Sequence, residues 1–316
     1  MRPQHETAVK AVAELSQADV RGLNVGSTEL EFSPKRIIDG KFLFDAGTAA
    51  STSLILQSLL PIMAFSKENT WAEIRGGTNN PWAPPVEYLQ EVFLPTLDKL
   101  GFRGSVELIK RGFYPQGGGI VTAWTAPIKM LNPIVLTEFG EIRSISGLSY
   151  SSKLPCHIVE RIAKSANKTL IKAGLQEASI KLECIEPKDR RVARSPGCGI
   201  VLLAKSSTGA ILGSDSLGKV GKPAEKVGQE AAESLCREIE AAAPVDKHLE
   251  DQIIPYMALA KGRSEIKFKE LTQHTISCIY VSKIILGANF ETTIEKGRLS
   301  SIICDGIGLR NTSLLV

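Results

Sequence analysis

The run Arg75-Gly76-Gly77-Thr78-Asn79-Asn80-Pro81-Trp82-Ala83-Pro84-Pro85 limits the fold more than any other stretch of the chain. It leaves an apolar strand pattern marked by Trp71 and Ile74 and enters an amphipathic helix pattern. Gly76 and Gly77 allow backbone angles, or a close approach, that a side chain forbids. Pro84 and Pro85 suit a first helical turn, where a missing N–H costs little. A second loop follows, Gly112-Phe113-Tyr114-Pro115-Gln116-Gly117-Gly118-Gly119. Two rigid glycine loops so close together suggest a backbone-built site for a phosphorylated ligand. On the residues alone, plain turns compete with that reading.

Around these loops strands and helices alternate. A helix is expected over Glu6–Leu15, with Ala8, Val12 and Leu15 on one face, followed by strands near Asp19–Asn24 and Leu30–Phe32. A new unit opens at Lys41–Phe44 and continues into a helix with Leu54, Leu56, Leu59, Leu60 and Met63. Then come the glycine-loop strand, a helix over Val86–Leu100 and two strands across Ser105–Ala123. Val86, Leu89, Phe93, Leu97 and Leu100 form one helical stripe. The C-terminal part repeats the order. A helix near His248 has Leu249, Ile253 and Met257 on one face, and a strand Glu265–Phe268 follows. A helix with Ile276, Ile279, Tyr280 and Ile284 and two further strands close the chain. The fold class is therefore α/β (α+β), with a strand–helix–strand–helix–strand–strand unit present twice. The copies share negligible sequence identity.

Residues 141–243 differ in character, reading as strand, helix, three strands and helix with turns rich in glycine, serine and lysine. We read them as a small inserted domain, and residues 1–140 with 244–316 as one large domain. No apolar run reaches spanning length and no charged-then-apolar signal opens the chain, so a soluble, cytoplasmic protein is expected. The net charge of +4 is compatible with a nucleic-acid end as substrate without requiring one. The six cysteines lie far apart with no CxxC pair, which predicts buried free thiols rather than a zinc site or disulfide framework.

The segments RGGTNNPWAPPVEYLQEVFLPTLDKLGF and KRGFYPQGGGIV resemble those of the RNA 3'-terminal phosphate cyclases, of archaeal type. RPQHETAVKAVAEL, GTAASTSLILQSLLPIM, GKPAEKVGQEAAESL, HLEDQIIPYMALA and TQHTISCIYVSKII extend the likeness almost from end to end. The resemblance implies a large domain of three βαβαββ repeats, related to the enolpyruvate transferases, interrupted by a small four-stranded, two-helix domain. Family members begin with a glycine-rich strand–loop–helix carrying an acidic residue and arginines, before the segment that matches Arg2-Pro3-Gln4-His5. The first repeat is thus expected to be incomplete, an edge near Asp19–Asn24 to lack a partner, and the acidic metal ligand to have no counterpart here. A chain of this form is expected to bind ATP but to carry AMP and cyclise RNA poorly.

The resemblance also assigns residues. His274, where a strand gives way to a helix, matches the histidine that attacks the α-phosphorus of ATP and carries AMP covalently. A helix start favours anions and a neutral imidazole, although a capping histidine would look the same on spacing alone. His248, Leu249, Glu250, Asp251 and Gln252 match an ATP-contacting segment, and Gln57 an ATP-binding glutamine. Leu249 and Ile253 would face the core and leave Asp251 and Gln252 for the ligand. Tyr114 and Pro115 could wall an adenine, with Tyr256 a weaker choice. Arg75 and Arg111 are candidate phosphate contacts, and Gln4 and His5 lie in a segment near the RNA end. His157 reads as structural, and Lys188-Asp189-Arg190-Arg191-Val192-Ala193-Arg194 as a mobile, solvated loop, with contact to RNA phosphates as the second reading. The implied function is ATP-dependent conversion of an RNA 3'-phosphate end to a 2',3'-cyclic phosphate, a ligase-class reaction. ATP is co-substrate and a divalent metal, Mg or Mn, screens the phosphates; a homo-oligomer is left open. The alternatives are a catalytically inactive cyclase-like ribosome-assembly factor, against which His274 argues, and a carboxyvinyl transferase, whose basic anion-binding cluster is not seen.

Overall fold

The computed structural model describes residues 1–295 and 297–314. Helix α1 (Pro3–Ser16) buries Ala11 and Leu15 and leads into an antiparallel ribbon of β1 (Asp19–Arg21) and β2 (Glu31–Ser33). The first complete unit is β3 (Gly40–Asp45), α2 (Thr52–Ala64), β4 (Thr70–Gly76), a segmented helix, β5 (Gly104–Lys110) and β6 (Gly119–Thr125). That helix starts as α3 (Val86–Tyr88), widens into a π turn (Leu89–Phe93) and ends as α4 (Leu94–Lys99). Pro95 accounts for the widening, since it has no N–H to donate and its ring crowds the carbonyl one turn back. Val86, Leu89, Phe93, Leu97 and Leu100 are all fully buried, as their spacing predicts. Pro85 is the N-cap, so both prolines precede the helix instead of opening its first turn.

The second unit starts with β7 (Val135–Leu136), too short for periodicity to reveal. Before it resumes, the chain runs through β8 (Ile142–Ser152), α5 (His157–Lys172), β9 (Ser179–Ile185), β10 (Gly197–Ser206), β11 (Ile211–Leu217) and α6 (Ala224–Glu240). It then completes α7 (Leu249–Gln252), α8 (Ile254–Leu259), β12 (Lys261–Phe268), α9 (Gln273–Leu286), β13 (Asn289–Thr293) and β14 (Ser300–Ile307). The two units have one topology. The first sheet has the order β3-β4-β6-β5, with β3 parallel to β4 and the other pairs antiparallel. The other has the order β7-β12-β14-β13, with the same parallel and antiparallel relations.

The intervening strands pair with one another in the order β11-β10-β8-β9. Alternation along β10 splits its side chains between two cores. Ile200, Leu202 and Ala204 pack under α5 and α6 with Ile162, Ala166, Val227 and Leu235. Val201 and Leu203, with Tyr150 and Ile211, join the core that contains Tyr88 and Val92. We propose residues 141–243 as an inserted unit docked onto the rest through this second face. One expectation is corrected here. Cys156, just before α5, and Cys184, near the end of β9, form a disulfide with Cα atoms 5.4 Å apart. The parallel crossover β8–α5–β9 brings these ends together, a proximity that a separation of 28 residues does not show. Cys198, Cys236, Cys278 and Cys304 are free.

Candidate active site

A cleft of about 890 Å³ opens where the two units and β11 meet. The first unit supplies Gln57 from α2 and Pro81, Trp82 and Pro84 from the loop between β4 and α3. The second supplies His248, Asp251 and Gln252 around α7, and Thr272 and His274 at the start of α9. Asp215 and Ser216 on β11, with Lys247, close a third side.

Two buried carboxylates hold these pieces in register. Asp246 is fully buried and accepts the backbone N–H groups of His248 at 3.0 Å and Leu249 at 2.9 Å, which caps α7. It also accepts the Tyr88 hydroxyl at 2.5 Å and the Gly213 N–H at 2.8 Å, tying α7 to α3 and β11. Glu250 is buried beneath the cleft and accepts the N–H of Thr272 at 3.0 Å. Burial pushes its carboxyl up to about 7. Thr272 in turn caps α9 by accepting the N–H of Thr275 at 3.1 Å.

His274 is the second residue of α9 and its side chain is exposed to the cleft. It stands at a helix start, where the dipole favours a bound anion beside the imidazole. Burial pushes the Asp251 carboxyl above its usual range, and the nearby His274 pulls it back. Burial lowers the pKa of the His248 imidazole, whose ring stands edge-on to Tyr88 with centroids 5.6 Å apart. Two buried amide atoms on residues that line the cleft lack any hydrogen-bond partner, Nε2 of Gln57 and Oε1 of Gln252. One is a donor and the other an acceptor, and an unsatisfied buried pair of this kind is costly unless a ligand completes it.

A family model described as RNA 3'-terminal phosphate cyclase matches residues 1–292. The chain belongs to the RNA 3'-terminal phosphate cyclase family. It is similar to the RNA 3'-terminal phosphate cyclase of Pyrobaculum aerophilum, with 42% identity over 308 residues covering 98% of this chain and 86% of the relative. The Staphylothermus marinus cyclase is 44% identical over 98% of this chain and 87% of its own length. That of Caldivirga maquilingensis is 45% identical over 92% of this chain and 82% of its own length. Among the described residues no helix is long and apolar enough to cross a membrane.

Within this cyclase-family chain the cleft gathers Gln57, His248, Asp251, Gln252 and His274, and not the other candidates. Leu249 is core and Glu250 lies behind the cleft as a strut. Tyr256 is likewise core, edge-on to Phe93 and Phe102. Tyr114, Pro115 and Gln4 line a neighbouring groove, Arg75 lines a smaller cavity, and His5 is exposed on α1 outside the lining of all three. Arg111 is not placed to reach a ligand. It is 1% exposed, bonded to Glu87 and Glu183 at 2.5 Å each and laid over the Tyr150 ring at 3.9 Å. The glycines also serve a different purpose from an open phosphate cradle. Gly112 lies so close to both Gly76 and Gly119 that a Cβ would sit 2.3 Å from the Gly76 carbonyl oxygen and the Gly119 nitrogen. Thr78 donates its N–H to the Gly112 carbonyl at 2.8 Å, so the two loops are stitched together. Sequence reasoning singled out the loop of Trp82 and Pro84 for its backbone alone, and it missed Asp246, two residues before the N-cap of α7, and Asp215 and Lys247, which carry no local signal.

Proposed function

We propose that this chain converts an RNA 3'-terminal phosphate into a 2',3'-cyclic phosphate with ATP as co-substrate. One observation carries the reading. His274 opens into a cleft whose unpartnered donor on Gln57 and acceptor on Gln252 match the acceptor ring nitrogen and donor amino group of an adenine edge. Pro84 and His248 offer apolar faces for the base, and the start of α9 favours the phosphates. The names of the relatives support the same reaction.

The imidazole of His274 attacks the α-phosphorus, forming a P–N bond as the bond to pyrophosphate breaks. An oxygen of the RNA 3'-phosphate then displaces the histidine, leaving an RNA–adenylate anhydride. The 2'-hydroxyl attacks the RNA phosphorus, loses its proton and expels AMP. Covalent catalysis divides one hard activation into two displacements. A divalent cation would screen the phosphates of ATP. Among the described residues no three His, Cys, Asp or Glu side chains converge on a metal position, so no step is routed through a protein-held ion. The test is incubation with ATP labelled at the α-phosphorus. Acid-labile label on the protein, and its transfer to RNA ending in a 3'-phosphate, are expected. A folded protein that takes up no label would point instead to a non-catalytic assembly role.

A further inference from the structure

Three neighbouring cavities share lining residues, the first of them holding His274. The cleft shares Pro81, Trp82 and Ala83 with a groove of about 340 Å³, and the groove shares Thr48 with a third cavity of about 130 Å³. Trp82 and Tyr114 stand on the groove with 83% and 66% of their surface exposed. Such exposure is unusual for aromatic rings that line a concave surface, and it leaves their faces free for stacking.

The third cavity is basic. Arg75, Lys110 and Arg194 line it with one carboxylate, Asp45. Asp45 already accepts the Gly47 N–H at 2.8 Å, and Arg75 pairs with Glu73 at 2.7 Å. Lys110 and Arg194 make no ion pair among the described residues. Arg194 ends the basic run expected to be mobile, but its segment is fixed on both sides. Ala193 and Ser195 are buried, Ala193 donates its N–H to the Ser152 hydroxyl at 2.9 Å, and Lys153 donates to the Arg194 carbonyl at 2.6 Å. The Arg194 side chain lies across Gly118, where a Cβ would sit 2.5 Å from its Cδ and Nε. Much of the ordering cost of an anion contact is thereby met before the ligand arrives.

We propose that the RNA strand leading to the 3' end follows this path, stacking bases on Trp82 and Tyr114 and seating a backbone phosphodiester among Arg75, Lys110 and Arg194. The proposal rests on the cyclase reading. Stacking faces next to a cationic seat are the recognition chemistry of single strands. Free pyrophosphate shares the phosphate chemistry but has no use for the aromatic groove.

The test measures binding of 3'-phosphorylated single-stranded RNA, a dinucleotide against a strand of about eight nucleotides. Lys110→Ala and Arg194→Ala should each weaken the longer strand by about tenfold and lower its salt slope by about 0.7. Dinucleotide affinity and AMP attachment should stay at wild-type levels. Tyr114→Ala should also weaken the longer strand, with Tyr114→Phe restoring it. Equal losses for both lengths, or an unchanged longer strand, would overturn the path. So would pyrophosphate binding that drops in Lys110→Ala while RNA binding does not. A wild-type protein that never takes up AMP would sink the cyclase reading instead, which is a separate result.

Discussion

The carboxylate of Glu250 accepts the backbone N–H of Thr272 at 3.0 Å, and this bond joins the segment bearing Asp251 and Gln252 to the one bearing His274. It spans 22 residues of sequence and lies beneath the cleft rather than in it. The relative position of these two sides of the cleft therefore depends on a side chain outside its lining.

Glu250→Ala should leave the part-buried Thr272 N–H without its acceptor, at about 1 kcal/mol of stability. AMP attachment should slow even where the protein remains folded. Glu250→Gln keeps an acceptor oxygen and should recover most of both losses. Single-turnover labelling beside urea denaturation checks this, and equal defects in the two variants would contradict the strut role.

His274→Ala should abolish AMP attachment and cyclisation with little change in melting temperature. The residue is exposed and lies outside the apolar side of α9, where Thr275, Ile279 and Ser282 are the buried positions. Label retained at the wild-type level in this variant would remove His274 from the chemistry.

If the proposed adenine contacts hold, Gln57→Leu and Gln252→Leu should each raise the KM for ATP by about tenfold through the loss of one hydrogen bond. Discrimination between ATP and GTP should fall in both. A variant that keeps wild-type preference places the adenine elsewhere in the cleft.

Arg111→Ala should cost about 3–5 kcal/mol in stability, because it strands Glu87 and removes the partner of Glu183. The affinity for RNA of the protein that remains folded should not change. A selective loss of RNA binding with normal stability would return Arg111 to the phosphate contacts.

Burial raises the carboxyl of Asp215 to about 6 and those of Glu238 and Glu250 to about 7. Each folded-state value lies above its unfolded one, so the protonated forms favour folding. That stability is fully present below about pH 4 and is lost as pH rises through 6 to 7. Denaturation midpoints should therefore fall over this window from these groups, and Asp215→Asn should flatten its lower half.

Long periodic elements were readable from sequence because their burial follows their spacing. The helix stripe from Val86 to Leu100 is an example, with all five of its spaced apolar positions fully buried. Gln57 and Gln252 could be placed in one cleft only through resemblance, since 194 positions separate them and no local pattern links α2 to α7. Arg111 misled because a loop arginine beside glycines looks the same whether its partner is a phosphate or a distant carboxylate such as Glu183. Cys156 and Cys184 were misread for the same reason, since only the crossover makes them neighbours.

The shared order of the two main sheets bears on how such a site can change over time. Gln57 sits on the first helix of one unit, and Asp251 and Gln252 on the first helix of the other. Pro81 to Pro84 follow the second strand of one unit, and His274 follows the second strand of the other. Matching places in a doubled architecture thus line the cleft with unlike side chains, prolines and Trp82 on one side and an imidazole on the other. Under the proposed function, substitutions in the Pro81 to Pro84 loop reshape one wall of the chamber without altering the unit that carries His274.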